Sequence, residues 1–199
     1  EGGVIKFGTF GERRETAILA PYGVGLRFSR QMFIDDDLGA IYDMLNDYGA
    51  SVADFEEETF YVFKAAATLN SDSLAVHHTT HNNLAGAGTA ITVAALGVGR
   101  AAIRKQTTID GKKMNMAPSI LLVGPDKETE ADQLITSIVP NQPSSVNPFS
   151  GRLEVVSSAQ ITGNRWELYV DPNRPGGACF VYGYLNGAEA PRVRLDEPF

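Results

Sequence analysis

His77, His78 and His81 are the only histidines in the chain and fall within one short stretch. His77 and His81 stand four apart, which on a helix would present two imidazoles on one face as metal ligands. A zincin-type site also needs a glutamate directly after the first histidine, as general base. His78 occupies that position, no cysteine is near, and no third carboxylate is spaced to complete a set. The flanking Thr79, Thr80, Asn82 and Asn83 favour a loop. A metal-dependent enzyme built on these residues is a lesser alternative reading, and the sequence implies no metal and no cofactor.

Other groups with chemical potential have simpler explanations. Glu56, Glu57 and Glu58 are consecutive, as are Asp35, Asp36 and Asp37. Paired acid-base catalysis needs carboxylates that share a cleft and perturb each other's pKa. Consecutive helical residues point in different directions, so a solvated face and a helix amino end account for these runs better. Gly86-Ala87-Gly88 and Gly97-Val98-Gly99 lack the GK[ST] ending and the strand-GxGxxG-helix setting of nucleotide loops. There is no GxSxG. Cys179, the single cysteine, lies in the apolar run Ala178 to Tyr182 and reads as a buried strand residue. No catalytic residue is nominated, and the chain does not read as an enzyme.

The elements that would position these groups begin with extended segments. Val4 to Phe10 is rich in β-branched and aromatic residues, Gly11 to Arg14 forms a charged turn, and extended patterns resume to Phe28 around Pro21-Tyr22-Gly23. From Asp35, residues Leu38, Ile41, Leu45, Tyr48, Val52, Phe55, Thr59, Val62 and Ala66 alternate at spacings of three and four. That predicts one amphipathic helix over 35–67, capped by the three aspartates, with Gly49 a candidate bend. At ~1.5 Å per residue it would be roughly 50 Å long, more than a compact small domain can cover. The expected shape is therefore elongated and flat, with the stripe covered by a sheet or by neighbouring subunits.

A Gly-rich loop follows over 74–89. A helix is predicted from Val93 to Gln106 with Thr92 as cap, then a hairpin turn at Asp110-Gly111. Ile120 to Val123 reads as a buried strand. Gly124-Pro125-Asp126 opens a helix that Ala131, Leu134, Ile135 and Ile138 line and Pro140 stops. Three strands are expected from Leu153, Trp166 and Cys179 onward, in antiparallel arrangement. The fold class is α+β.

With 199 residues and 43% hydrophobic content, the chain can bury a real core. No apolar run is long enough to span a membrane. One cysteine suits a reducing cytoplasm. The net charge of -7 repels phosphates and argues against nucleic-acid binding. Arg100, Arg104, Lys105, Lys112 and Lys113 form the densest basic group and read as a solvated helix face and hairpin. The chain opens with Glu1 and no signal segment, which we read as a fragment or a processed product.

An ordered set of short motifs then resembles the Mu-type phage and prophage major head proteins. It comprises His81-Asn82-Asn83-Leu84, the helix 93–106 with Arg100-Ala101, and Asp110-Gly111-Lys112. Pro118-x-x-Leu121-Leu122-Val123-Gly124-Pro125 follows and runs into Glu128 to Ala131. Further on come Asn147-Pro148-Phe149-x-Gly151-Arg152-Leu153-Glu154-Val155, Trp166-x-Leu168-x-x-Asp171-Pro172 and Tyr184 to Gly187. The resemblance implies the Hong Kong 97-type capsid fold. In that fold a long spine helix and an antiparallel sheet form a peripheral domain, beside a mixed α/β axial domain. By analogy 1–34 is a remnant of the extended loop with a strand, and 35–88 is the peripheral domain. Residues 89–176 form the axial domain, and 177–199 return to the peripheral one. Against that pattern the chain begins after an amino-terminal arm and stops short of a last strand, as a truncated head subunit would.

The resemblance implies a structural subunit that assembles with itself into hexamers and pentamers of a virion shell enclosing DNA. Assembly would take place in the bacterial cytoplasm. Scaffold, portal and prohead protease are the implied partners. No sequence-specific nucleic-acid contact and no membrane contact are expected. An encapsulin-like compartment is the alternative within the same fold. The metal-dependent enzyme ranks below it, and a tail or baseplate protein ranks last. Candidate interface residues are Arg13 and Arg14, at the tip of the charged turn, pairing with Glu56, Glu57 and Glu58 of a neighbour.

Overall fold

The computed structural model describes residues 18–35, 39–69, 71–136, 146–192 and 194. Contacts cluster into two units, one made of 67–180 and the other of 18–66 with 181–194 among the described residues.

In the first unit, helix α3 spans Val93–Lys105, strand β1 Ile120–Val123, helix α4 Pro125–Ile135, strand β2 Glu154–Ser157 and strand β3 Trp166–Tyr169. Thr92 caps α3 as its position predicts: its Oγ1 accepts from the Ala95 N–H at 3.1 Å. Helix α4 starts on Pro125, whose fixed φ suits a first helical residue and whose missing N–H would have no partner there. It carries Asp126 and Glu128 in the first turn, where they complement the positive end of the helix. Ala131 and Ile135 are buried and Leu134 half-buried on the predicted face. The stop expected at Pro140, and Ile138, lie outside the described residues.

The sheet order is β2-β1-β3. β1 pairs parallel with β2, with α4 as the crossover between them, and antiparallel with β3. The wholly antiparallel arrangement expected for the later strands is therefore corrected. A parallel neighbour needs a crossover of a dozen or more residues, and α4 with its flanking turns supplies it. As the central strand β1 is covered on both faces: Leu121 and Val123 are fully buried, and Leu122 nearly so. Ile91, Leu96, Phe149 and Leu153 join them in one core, with Trp166 and Leu168 packed against it. Each fully buried Leu or Val contributes about 1.5–3 kcal/mol.

The second unit contains helix α1 (Arg30–Ile34), capped by Ser29, and helix α2 (Ala40–Ala66). The predicted long helix is thus present but starts later. Asp35 closes α1 with its N–H on the Gln31 carbonyl, and Gly39 sits at φ 68. That left-handed conformation, which glycine adopts at no steric cost, ends any continuity with α1. Asp36 and Asp37 lie outside the described residues. The 27 residues of α2 run on through Gly49 and give a rod of roughly 40 Å.

Two further expectations fail. Residues 179–182 form no strand, and Cys179 is exposed. Local packing around its Sγ, which donates to the Gly177 carbonyl at 3.7 Å, still raises the thiol pKa. No strand occurs among the described residues of the second unit, so the antiparallel peripheral sheet is not formed by them. Residues 18–29 are extended without pairing, and the segment Val4 to Phe10 lies outside the described residues.

Candidate functional site: motif residues and an uncovered apolar face

The histidine group is built on turns. Thr68 and Ala75 bridge the arms of a small hairpin, and Thr79–His81 makes a single 3-10 turn. The helical face that would have aligned His77 with His81 is not formed. His78 Nδ1 accepts from the Thr80 N–H at 3.1 Å and caps the turn. Both nitrogens of His81 face oxygen acceptors, Asp72 Oδ2 at 2.7 Å and the Val76 carbonyl at 3.1 Å. Only the imidazolium can donate to both, and its hydrogen bond to Asp72 leads the causes that raise the His81 pKa above 6.5. When protonated in this way the ring has no lone pair for a metal. Among the described residues no group of three His, Cys, Asp or Glu is placed to hold a metal ion.

These residues position backbone instead. Asn83 Oδ1 accepts from the His78 N–H at 2.9 Å, and its Nδ2 donates to the Val76 carbonyl at 2.7 Å. Asn82 takes the left-handed conformation at φ 54. Gln106, just past α3, donates from Nε2 to the His81 carbonyl at 2.9 Å. His81-Asn82-Asn83 thus ties the loop to the end of α3.

The other motif residues behave alike. Trp166 Nε1 donates to the Thr89 carbonyl at 2.7 Å, fastening the Gly-rich loop to β3. Asn147 donates to the Leu134 carbonyl at the end of α4 and accepts from the Phe149 N–H, seating Phe149 in the core. The Arg100 guanidinium lies 4.5 Å from the Phe149 ring centroid, a cation–π contact. A Cβ on Gly124 would come within 2.2 Å of the Ile161 carbonyl oxygen, so only glycine allows this close approach. Asp171 Oδ1 accepts from the Asn173 N–H at 2.9 Å in the turn after β3. On Glu167, Arg165 Nε donates to one carboxylate oxygen at 2.6 Å and Tyr169 Oη to the other. Burial, and then the Glu167 charge, push the Tyr169 pKa upward. The motif residues with described contacts therefore act in turns, caps and close approaches, the work of holding a shape.

The second unit differs in kind. Every buried apolar side chain among the described residues belongs to 67–180. Among the described residues of 18–66 and 181–194 only Lys64 is buried, 5.1 Å from the Tyr61 ring centroid. The apolar stripe of α2 is real, yet Leu45, Tyr48, Phe55 and Val62 are 41–63% exposed. Aromatic pairs hold the unit together: Tyr22 with Phe55 at 5.1 Å, Phe60 with Tyr182 at 6.3 Å, and Tyr182 with Tyr184 at 5.9 Å. Tyr184 Oη donates to Glu56 Oε2 at 2.8 Å, and that bond pushes the phenol pKa up to about 12. Glu56 is thus committed to Tyr184. Glu57 and Glu58 are exposed, and Arg13 and Arg14 lie outside the described residues. Sequence reasoning missed Tyr184 as a partner of Glu56, because 128 residues separate them and no local pattern links them.

No helix among the described residues is long and apolar enough to cross a membrane. Comparison with curated proteins and with solved structures finds no match. A family model described as phage capsid protein matches residues 14–199, nearly the whole chain and both units. With the match covering more than nine-tenths of its length, the chain belongs to the phage capsid protein family.

Proposed function

We propose that this structural capsid subunit is the major head protein of a tailed phage or prophage. It adopts the Hong Kong 97-type fold and closes with copies of itself, as hexamers and pentamers, into an icosahedral shell around DNA. The observation that carries the reading is the unit of 18–66 and 181–194, in which no apolar side chain is buried among the described residues, in a member of a capsid family. Burying apolar area gains about 25 cal/mol per Å², so repeated contacts between copies would supply the stability that this unit does not find within itself.

In this reading α2 is the spine of a peripheral domain over 35–88, and 1–34 is the remnant of an extended loop. Residues 89–176 form the axial domain, and 177–199 return to the peripheral one. The pairing of 181–194 with α2 through Tyr182 and Tyr184 supports such a return. Arg13 and Arg14 reach Glu56, Glu57 and Glu58 of a neighbour, while within its own chain Glu56 accepts from Tyr184 Oη. Scaffold, portal and protease are partners of assembly in the host cytoplasm. The protein performs no catalysis.

Electron microscopy of the expressed full-length product tests the reading. Closed shells or capsomers are the expected result. Shells that carry a co-purifying enzyme in place of DNA would move the protein to an encapsulin-like compartment. Monomers that persist at high concentration and in the presence of scaffold would refute it.

A further inference from the structure

Charge is unevenly spread along the chain. Between Ser73 and Gly124 the only acid is Asp110, against Arg100, Arg104, Lys105, Lys112 and Lys113. Arg100 is committed to the Phe149 ring. The other four are exposed, and the fold gathers them. Thr107 pairs with Lys113, the Thr108 N–H donates to the Lys112 carbonyl at 2.8 Å, and the Met114 N–H donates to the Gln106 carbonyl at 2.8 Å. This hairpin turns straight back on the end of α3, and the Arg104 guanidinium donates to Asn115 Oδ1 at 3.1 Å just beyond it. The negative end of α3 accounts for Arg104 and Lys105 in its last turn. It does not account for Lys112 and Lys113, which lie outside the helix. Among the described residues none of the four is in an ion pair. Like charges held together repel unless an opposite surface meets them.

That opposite surface is also in the chain. Helix α2 carries Asp43, Asp47, Asp54, Glu56, Glu57 and Glu58 against a single cation, Lys64. At ~100° per residue, Asp43, Asp47, Asp54 and Glu58 fall within about 60° of one another, along roughly 22 Å of helix. All four are exposed. By the same rotation the stripe of Leu45, Tyr48, Val52 and Phe55 is centred about 130° away from them. The acidic arc of α2 is therefore separate from its apolar stripe.

We propose that the basic patch of Arg104, Lys105, Lys112 and Lys113 receives the acidic face of α2 from a second copy of this chain. The contact rests on the shell reading and deepens it by naming an interface. It is head-to-tail, since two different surfaces meet, and head-to-tail contacts propagate into rings and lattices. Charge favours this occupant. Copies with a net charge of -7 repel one another at long range, so association needs locally opposite fields brought face to face. The patch holds no stacking aromatic of the kind that single-stranded nucleic acid uses, and the net charge opposes phosphate.

The test is zero-length carbodiimide crosslinking of an equal mixture of unlabelled and 15N-labelled full-length protein under assembly conditions. Mixed-isotope links should join Lys105, Lys112 or Lys113 to Asp43, Asp47, Asp54 or Glu58. Lys112→Glu with Lys113→Glu should weaken association tenfold or more in low salt, with an unchanged circular dichroism spectrum. Adding Asp54→Lys/Glu58→Lys chains should restore it. Links confined to single copies, or undiminished association of the Lys112/Lys113 double variant, would overturn the proposal. So would loss of duplex-DNA binding in that variant with assembly intact, which would assign the patch to nucleic acid. If wild-type capsomers form and the links lie elsewhere, this interface alone fails. If the wild type never associates and gives no mixed links, the shell reading fails with it.

Discussion

Replacing Gly124 by alanine should destabilise the unit of 67–180 by about 3 kcal/mol. Gly124 joins β1 to α4, and an added Cβ would lie 2.2 Å from the Ile161 carbonyl oxygen and 3.1 Å from its carbon. Relief of about 1 Å is needed, and no rotamer can give it because the obstacle is backbone. That carbonyl belongs to a turn held by the Ile161 N–H on the Ser158 carbonyl, and the Ser158 N–H in turn donates to Val123. Either the turn or the buried end of β1 must move. Overpacking costs typically 1–3 kcal/mol, and a backbone obstacle puts this site at the upper end. At ~4 °C per kcal/mol the melting temperature should fall by about 12 °C.

Two other glycines serve as controls. A Cβ on Gly99 meets Leu168 Cδ1 at 2.6 Å, the far end of a side chain that can rotate. Alanine also gains ~1 kcal/mol of helix propensity there, so Gly99→Ala should stay within about 1 kcal/mol of wild type. Gly49 has open space in α2, and Gly49→Ala should stabilise that helix by ~1 kcal/mol. Urea titration followed by Trp166 fluorescence and by circular dichroism reads all three. If Gly124→Ala unfolds within 0.5 kcal/mol of wild type, or if Gly99→Ala costs more, the close approach at the β1–α4 junction is wrong.

Thr92→Ala removes the cap of α3 and should cost ~1 kcal/mol by the same titration, with Thr92→Ser recovering most of it. His81 has its pKa raised from 6.5 by Asp72, so the bond stabilises the fold fully below 6.5 and the benefit is lost as pH rises through the raised value. Histidine titration by NMR should show Asp72→Asn lowering the His81 midpoint. An unchanged midpoint would break the link between them.

The capsid reading was legible where signals are local and ordered. His81-Asn82-Asn83, Gly124-Pro125, Asn147-Pro148-Phe149 and Trp166 stand in order along the chain. Their contacts supply the reason: each fixes a turn, a cap or a close approach that few residue types can make. The proposed interface was half visible. Lys112 and Lys113 read as a solvated hairpin, and only the folding of that hairpin against α3 made them part of one patch with Arg104 and Lys105.

By itself the sequence determined the elements whose cause lies within a few residues. Thr92 and Pro125 start helices, Ile120 to Val123 must be buried, and the spacing from Leu45 to Ala66 makes α2 amphipathic. Tertiary structure alone decided the rest. A strand's own pattern does not encode its neighbour's direction, so the parallel pairing of β1 with β2 came from the route of α4. The predicted start at Asp35 gave way to Ala40 because Gly39 turned the chain at φ 68. Residues 179–182 have strand composition, but no strand among the described residues pairs with them. The apolar stripe of α2 could be read from spacing, but not that Leu45, Tyr48, Phe55 and Val62 on it stay exposed. Burial depends on everything that packs against a face, which spacing along one helix does not encode.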